Sequence, residues 1–495
     1  MMKPGRHPIA ALLLAALSGL AAGTARSAEG RSPGEWGVPT ISADTIWAGE
    51  IVLRQNVVVT QGAVLRIAPG TAVRVEPGKG IGITVLGRLR VEGTAKAPVR
   101  FAPETPGTAR DVWQGIVLGP GSPGEHLLAG FRVEGAREGV SVTDASARFR
   151  EGVFSGCATG IRVNQKASAA VDNCLFDGND AGCVVSLGGR AVFAGCRLEN
   201  ILGAGIVADK GAAIRVTACL FSRGKTGIFS LTNAPCLVEG SRFLSLEKGI
   251  VARQMGRESA VSRCLFENDD TGLEAVQFCA VAVSDSVFRG NRTGIAAVEF
   301  STPDVRQNLF ERNGVAVSLF RKSHARVEKN VFSHNRNAVV LNYSSYPHIA
   351  GNNFDRNDMS VRLERFQSGD WEERAGSPGT TAAEAARRGS RNMPRGVQPA
   401  SFPKRVNAKG NYWGPDADRD PAGGTLGKIW DGKKFGPVKY EGFGDAEYAI
   451  DVVDFSGEET TPVKDAGPRA GPGPGGNVAP TGSGTENRVE AEEAG

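Results

Sequence analysis

Apolar positions along the middle of this chain recur every 22 or 23 residues, a period far longer than that of one helix or strand. The most regular column is Phe154, Phe176, Leu198, Phe221, Phe243, Phe266, Phe288, Phe310, Phe332 and Phe354. Five positions earlier stand Phe149, Val171, Phe193, Val216, Val238, Val261, Val283, Val305, Val327 and Ile349, and seven positions earlier a second, mostly apolar column. Two apolar columns spaced by two are the inward face of a strand. After most of these markers comes a Gly-aliphatic pair, as in Gly160-Ile161, Gly227-Ile228 and Gly294-Ile295, which opens a second strand. Each unit thus reads as strand, bend, strand and polar turns. A constant period of this size predicts stacked coils, each covering its neighbour's apolar face.

Two residues before the marker runs a third column: Cys174, Cys196, Cys219, Ser241, Cys264, Ser286, Asn308, Asn330 and Asn352. Stacked Asn side chains at a bend bond along the stack and to backbone groups that the bend leaves unpaired. The column assigns four of the eight cysteines to the interior, as free thiols in preference to one strained disulfide between neighbouring coils. A leucine-rich repeat has a similar period but requires Leu at several fixed places per unit, where this chain has Val, Ala, Ile and Phe. The pattern therefore predicts an all-β, right-handed parallel β-helix solenoid of 14 to 16 coils, ~70 Å long at ~4.8 Å per coil.

The motif Asn-x-Phe followed by Gly-Ile, as in Asn308-Leu309-Phe310, resembles that of right-handed parallel β-helix proteins. These form the pectin-lyase-like superfold, which includes NosD-like periplasmic and surface proteins. Gly410-Asn411-Tyr412-Trp413-Gly414 resembles the segment that marks the last coils in such proteins. The resemblance spans roughly residues 45 to 455. It implies polysaccharide lyase or glycoside hydrolase activity as one expectation, and periplasmic metal handling as another.

Segmentation follows from the same pattern. Residues 1–28 read as a secretory signal, with Lys3 and Arg6 before the apolar run Ile9 to Ala22 and small residues around Ala25 and Ala28. Residues 29–135 read as an N-terminal cap and irregular coils, with Trp47 and Ile51–Leu53 as cap candidates, and 136–366 as regular repeats. The step from Phe354 to Trp413 spans 59 residues, one 22-residue period and 37 more, so 367–408 is expected as an inserted loop. Residues 409–456 form terminal coils, and 457–495, rich in Gly, Pro, Glu and Thr, a disordered tail. The mature chain is expected to be exported, to the periplasm or cell exterior, without a membrane span.

A net charge of +5 over 495 residues is too diffuse to imply nucleic acid. Candidate chemistry is sparse. Enzymes of this shape work from outward strand residues, and hydrolysis of a glycoside needs two carboxyl groups about 5 to 9.5 Å apart. The outward column Arg162, Val184, Val207, Phe229, Val251, Glu274, Ala296, Ser318, Val340, Arg362 carries one acid. Glu274 with Arg253 is the weak catalytic candidate. Asp209 and Glu364 stand in the next column, several coils apart. Asp269-Asp270 looks like an aspartate pair, but Asp269 aligns with the turn residues Asn179, Asn291, Asn313, Asn335 and Asn357.

Of five histidines, His324 and His348 lie on adjacent coils with offsets differing by two. That puts them ~8 Å apart, too far for one small ion. They are weak metal candidates, and no cofactor is expected. The outward columns are instead apolar: Phe229, Leu231, Val251, Val276, Val298, Phe320 and Val340, with Val184 and Val207 beside them. An apolar stripe facing water marks a contact surface. Its expected occupants are a polysaccharide, an envelope protein, a second copy of the chain, or the 37-residue insertion. Phe278, Phe300 and Tyr343 at the strand ends either stack on sugar rings or pack against neighbouring turns.

Overall fold

The protein is described by a computed structural model covering residues 38–105, 107, 110–120, 122, 124–374, 402–415, 417 and 426–469. The expected signal segment lies outside these residues, as do most of the inserted loop and the tail from 470 onward. Among the described residues, three parallel sheets of 16, 16 and 14 strands run the length of the molecule, and one antiparallel hairpin adds Val438–Lys439 to Glu447–Tyr448. In each sheet, hydrogen-bonded neighbours are strands one coil apart, which makes the chain a right-handed parallel β-solenoid.

The first sheet holds the Gly-led strands such as Thr226–Ser230 and Lys248–Arg253. The second holds the strands before the bend, such as Ala213–Thr217, and the third the short marker strands, such as Leu265–Glu267. The expected single strand before the marker is therefore two strands separated by a bend at the Cys/Ser/Asn column. Register follows the sequence columns: Phe243 pairs with Phe266, Phe266 with Phe288 and Phe288 with Phe310. The rings stack almost parallel, with centroids 4.6 to 5.0 Å apart between Phe221 and Phe354. Trp413 continues the stack on Phe354 at 4.7 Å, in the slot expected for it.

Glycine follows the markers up to Phe288, and Ala316, Ala338 and Ser360 take the same place on later coils. A Cβ on Gly249 would stand 2.4 Å from the carbonyl oxygen of Gly272 and 2.8 Å from a ring carbon of Phe266. The backbone at Gly249 is thus pressed onto both the marker ring and the carbonyl of the next coil, which leaves no room for a Cβ there.

The bend column forms the expected polar ladder. The backbone N–H of Ser286 bonds Asn308 Oδ1 at 3.0 Å, Asn308 bonds Asn330, Asn330 bonds Asn352, and Asn352 bonds Asn411 across the insertion at 2.9 Å. Farther down, Cys196 N–H points to Cys219 Sγ and Cys219 N–H to Ser241 Oγ. All eight cysteines are buried free thiols.

Several segments differ from expectation. The cap candidates Trp47 and Ile51–Leu53 belong to Thr45–Trp47 and Glu50–Leu53, the first rungs of their sheets, in register with Leu65–Ile67 and Ala72–Val75. Within 367–408, Gly369–Arg374 is a short helix, and Arg405–Asn407 is a rung of the second sheet beside His348 and Val452. Residues 457–469, expected as unpacked tail, lie back along the third sheet. Val463 exchanges two hydrogen bonds with the Asn353 side chain, Gly467 N–H bonds Lys329 O, and Arg469 grips Asp285. Glycine and proline content made this stretch read as unstructured, whereas side chains of three separate coils hold it.

Candidate functional site

The outward column of the first sheet is aligned rung on rung. Arg162 pairs with Val184, Val184 with Val207, Val207 with Phe229, Phe229 with Val251, and Val251 with Glu274. Glu274, Ala296, Ser318, Val340 and Arg362 continue it. The neighbouring column runs Arg253, Val276, Val298, Phe320 and Asn342. Side chains one rung apart shade each other, so the stripe is flat rather than protruding. Val184, Val207 and Val251 are 8%, 4% and 6% exposed. Phe229, Leu231, Val276, Val298, Phe320 and Val340 are half-buried. Val184, Ala204 and Val207 form an apolar cluster separate from the interior, with Ala181 and Phe229 packed against it.

The aromatic residues at the strand ends pack on one another. Phe278 stacks on Phe300 at 5.2 Å, and Phe320 meets Tyr343 edge-on at 4.9 Å. Tyr343 stacks on Phe366, and Phe366 on Tyr440. Of the two alternatives for Phe278, Phe300 and Tyr343, the structure thus shows packing between neighbouring turns. The left-handed backbone at Phe278, Phe300 and Tyr343 turns these rings along the stack.

The weak catalytic candidates are engaged separately. Glu274 accepts from Lys248 Nζ at 2.5 Å, and Arg253 Nε donates to Gln277 Oε1 at 2.8 Å. Asp209 caps the backbone N–H of Lys210, and Glu364 pairs with Arg362. The aspartate pair divides as well. Asp270 is held by Arg292, whose bond keeps its carboxyl below the usual range. Asp269 is buried in the turn column, which proves to be a second hydrogen-bonded ladder. Repetition of Asn in that column was visible in the sequence; its inward direction was not.

The histidines also stand apart. His324 is half-buried, accepts the Tyr346 N–H at Nδ1, and has its pKa lowered to about 4 by burial and then by Lys322. His348 is exposed, meeting Asn407 at Nδ1 and Glu328 at Nε2. The different surroundings follow from their offsets: His348 stands on a rung of the second sheet, whereas His324 lies in the turn before the neighbouring rung Arg326–Glu328. A third, His126, faces the interior and accepts the Leu89 N–H at 3.1 Å. Among the described residues no group of three or more His, Cys, Asp and Glu is placed to hold a metal ion.

Residues 189–416 match the family model described as periplasmic copper-binding protein (NosD). With three continuous parallel sheets and a ladder of coils already in evidence, the assignment follows. The chain is a right-handed parallel β-helix repeat protein. The alginate lyase from Paenibacillus sp. str. FPU-7 is 11% identical, covering 51% of this chain and 91% of that one, with a TM-score of 0.33. The periplasmic alginate epimerase AlgG is 12% identical over 64% of this chain and 77% of that one, with a TM-score of 0.37. A tailspike protein of E. coli bacteriophage HK620 is 13% identical over 66% and 64%, with a TM-score of 0.29. No curated protein matches the sequence. Among the described residues of this β-helix protein, no helix is long and apolar enough to cross a membrane.

Proposed function

We propose that this β-helix protein is an exported, noncatalytic component of the cell envelope that presents the outer face of its first sheet to a glycan or protein partner. The observation that carries the reading is the aligned apolar column from Val184 to Val251, bordered by Leu231, Val276, Val298 and Phe320. A flat apolar strip with rungs ~4.8 Å apart suits an extended chain lying along the stack. The acids on this face support a binding rather than a hydrolytic role. Glu274 is charge-paired to Lys248, and Asp209 and Glu364 stand on rungs far from it.

The test is retention in affinity gels loaded with acidic and neutral polysaccharides, together with capture of envelope proteins. Phe229→Asp or Phe320→Asp is expected to weaken the interaction about tenfold or more, equivalent to about 1.4 kcal/mol. Equal retention by wild type and both variants would remove the strip from consideration. Ultraviolet absorbance of a new double bond on acidic polysaccharides would instead establish a lyase.

The family match favours one second reading, handling of copper as cargo. The histidines do not fit it in their present arrangement, because His324 Nδ1 and both His348 nitrogens already have partners. If that reading holds, copper stays with the protein through gel filtration and is lost from the double variant His324→Ala, His348→Ala.

A further inference from the structure

The turn after each marker strand carries a ladder with strict bonding rules. Asn291, Asn313, Asn335 and Asn357 each accept at Oδ1 the backbone N–H of the previous rung, at 2.8 to 3.0 Å. Each donates through Nδ2 to the carbonyl of the Phe three residues before that previous rung: Phe266, Phe288, Phe310 and Phe332. Asn291, Asn313 and Asn335 also donate through Nδ2 to Oδ1 of the next rung. Asn179 obeys the same rule lower in the solenoid, with Cys157 N–H and Phe154 O.

Asp269 occupies the rung before Asn291. Its Oδ1 accepts the Leu246 N–H at 2.8 Å, as the rule requires. Its other oxygen takes the place of the donating Nδ2, and the groups that an amide would serve there, the Phe243 carbonyl and Asn291 Oδ1, are both acceptors. Asp269 is 2% exposed, and its Oδ2 is buried without an accepted hydrogen bond. Turning Asn291 over to serve an ionised carboxylate would point its oxygen at the Phe266 carbonyl and break the ladder above. Only a proton on Oδ2 satisfies every group in place.

We propose that Asp269 is a carboxylic acid held protonated in the folded protein, donating from Oδ2 in the manner of an asparagine, and that its ionisation is a pH-sensitive weak point between the coils carrying Leu246 and Asn291. The surroundings agree. Burial pushes the carboxyl up to about 8; the Leu246 N–H opposes this and the nearby Glu267 adds to it. The charged groups around the turn are already committed elsewhere: Glu267 to Arg289, Asp270 to Arg292, and Lys248 to Glu274. Glu247, in the turn below, bonds Thr271 through its backbone carbonyl. Leu246, on the rung below Asp269, offers the carboxyl only its backbone N–H. Asp269 is thus the end of the polar ladder, where it abuts an apolar slot.

The sign follows from linkage. The unfolded carboxyl loses its proton near pH 4 and the folded one near pH 8, so the folded state holds one more proton between those limits. Stability from this group is therefore full below about pH 4, falls as pH rises, and is lost above about pH 8.

The test compares wild type with Asp269→Asn, which places in the slot the residue that five other rungs carry. Relative to the variant, the folding equilibrium constant of wild type should fall up to ~10-fold per pH unit between pH 4 and 8. It is read from denaturant midpoints along the pH series. Infrared difference spectra of wild type minus variant at pH 6 should show the carbonyl band of a protonated carboxylic acid. Parallel pH profiles, or difference spectra without that band, overturn the proposal.

Discussion

Asn335 makes four hydrogen bonds with one amide: two accepted from Asn313, one donated to Phe310 O and one to Asn357 Oδ1, all at 2.9 Å. It is 1% exposed, so no water replaces a lost partner. Asn335→Ala leaves the buried donors of Asn313 unpaired, each at about 1–3 kcal/mol, for a total loss of roughly 3 kcal/mol. The exposed neighbour Arg336 is the control, where alanine should change stability by less than about 0.5 kcal/mol. Urea midpoints of the two variants check the contrast. At this scale the bend column was legible in the sequence because its Cys, Ser and Asn alternate with strand residues. The sequence marks the turn column as turns but gives no direction for its side chains, since Asn serves an exposed turn and a buried ladder equally well. A side chain's direction is set by backbone angles that composition does not encode.

Elements are held by the contact between marker ring and glycine. Phe266 lies 4.7 Å from Phe243 and 4.6 Å from Phe288, centroid to centroid, while Gly249 presses against its edge and against the carbonyl of Gly272. Gly249→Ala forces a Cβ against backbone rather than against a flexible side-chain end, so relaxation must move a whole strand. A loss of about 1–3 kcal/mol or more is expected, as for other overpacked interiors. Gly178→Ala, with open space around its Cβ and only a left-handed backbone to strain it, should cost less. Thermal unfolding of both variants decides the order. The Phe and Gly columns were visible in the sequence and predicted strands correctly. Their division among three sheets was not visible, because a bend of one or two residues leaves the apolar period of two almost intact.

For the whole molecule, stability is a sum over coils and the interfaces between them. Removing residues 222–243, one period, joins Phe221 to Leu244 and restores every ladder one rung shorter. That deletion should still give a folded β protein by circular dichroism, with a modestly lowered denaturation midpoint. Removing 222–232 instead puts each following apolar column against the wrong face, and no cooperative unfolding transition should remain. The site belongs to this scale as well. The apolar stripe was legible as columns, yet the exposure of its members was not, because rungs ~4.8 Å apart cover one another.

The sequence by itself determined the period, the inward columns and the stacking of markers from Phe154 to Trp413. These are properties of one repeating unit, and a repeat displays them many times over. Tertiary structure alone decided where the C-terminal residues 457–469 dock, which histidine is buried, that Phe278 and Phe300 face each other, and that Asp269 ends an interior ladder. Each of these depends on contacts between rungs or on a segment that occurs once. The chain repeats the rule for a coil in every period, but it states an isolated contact only through the shape the coils have already built.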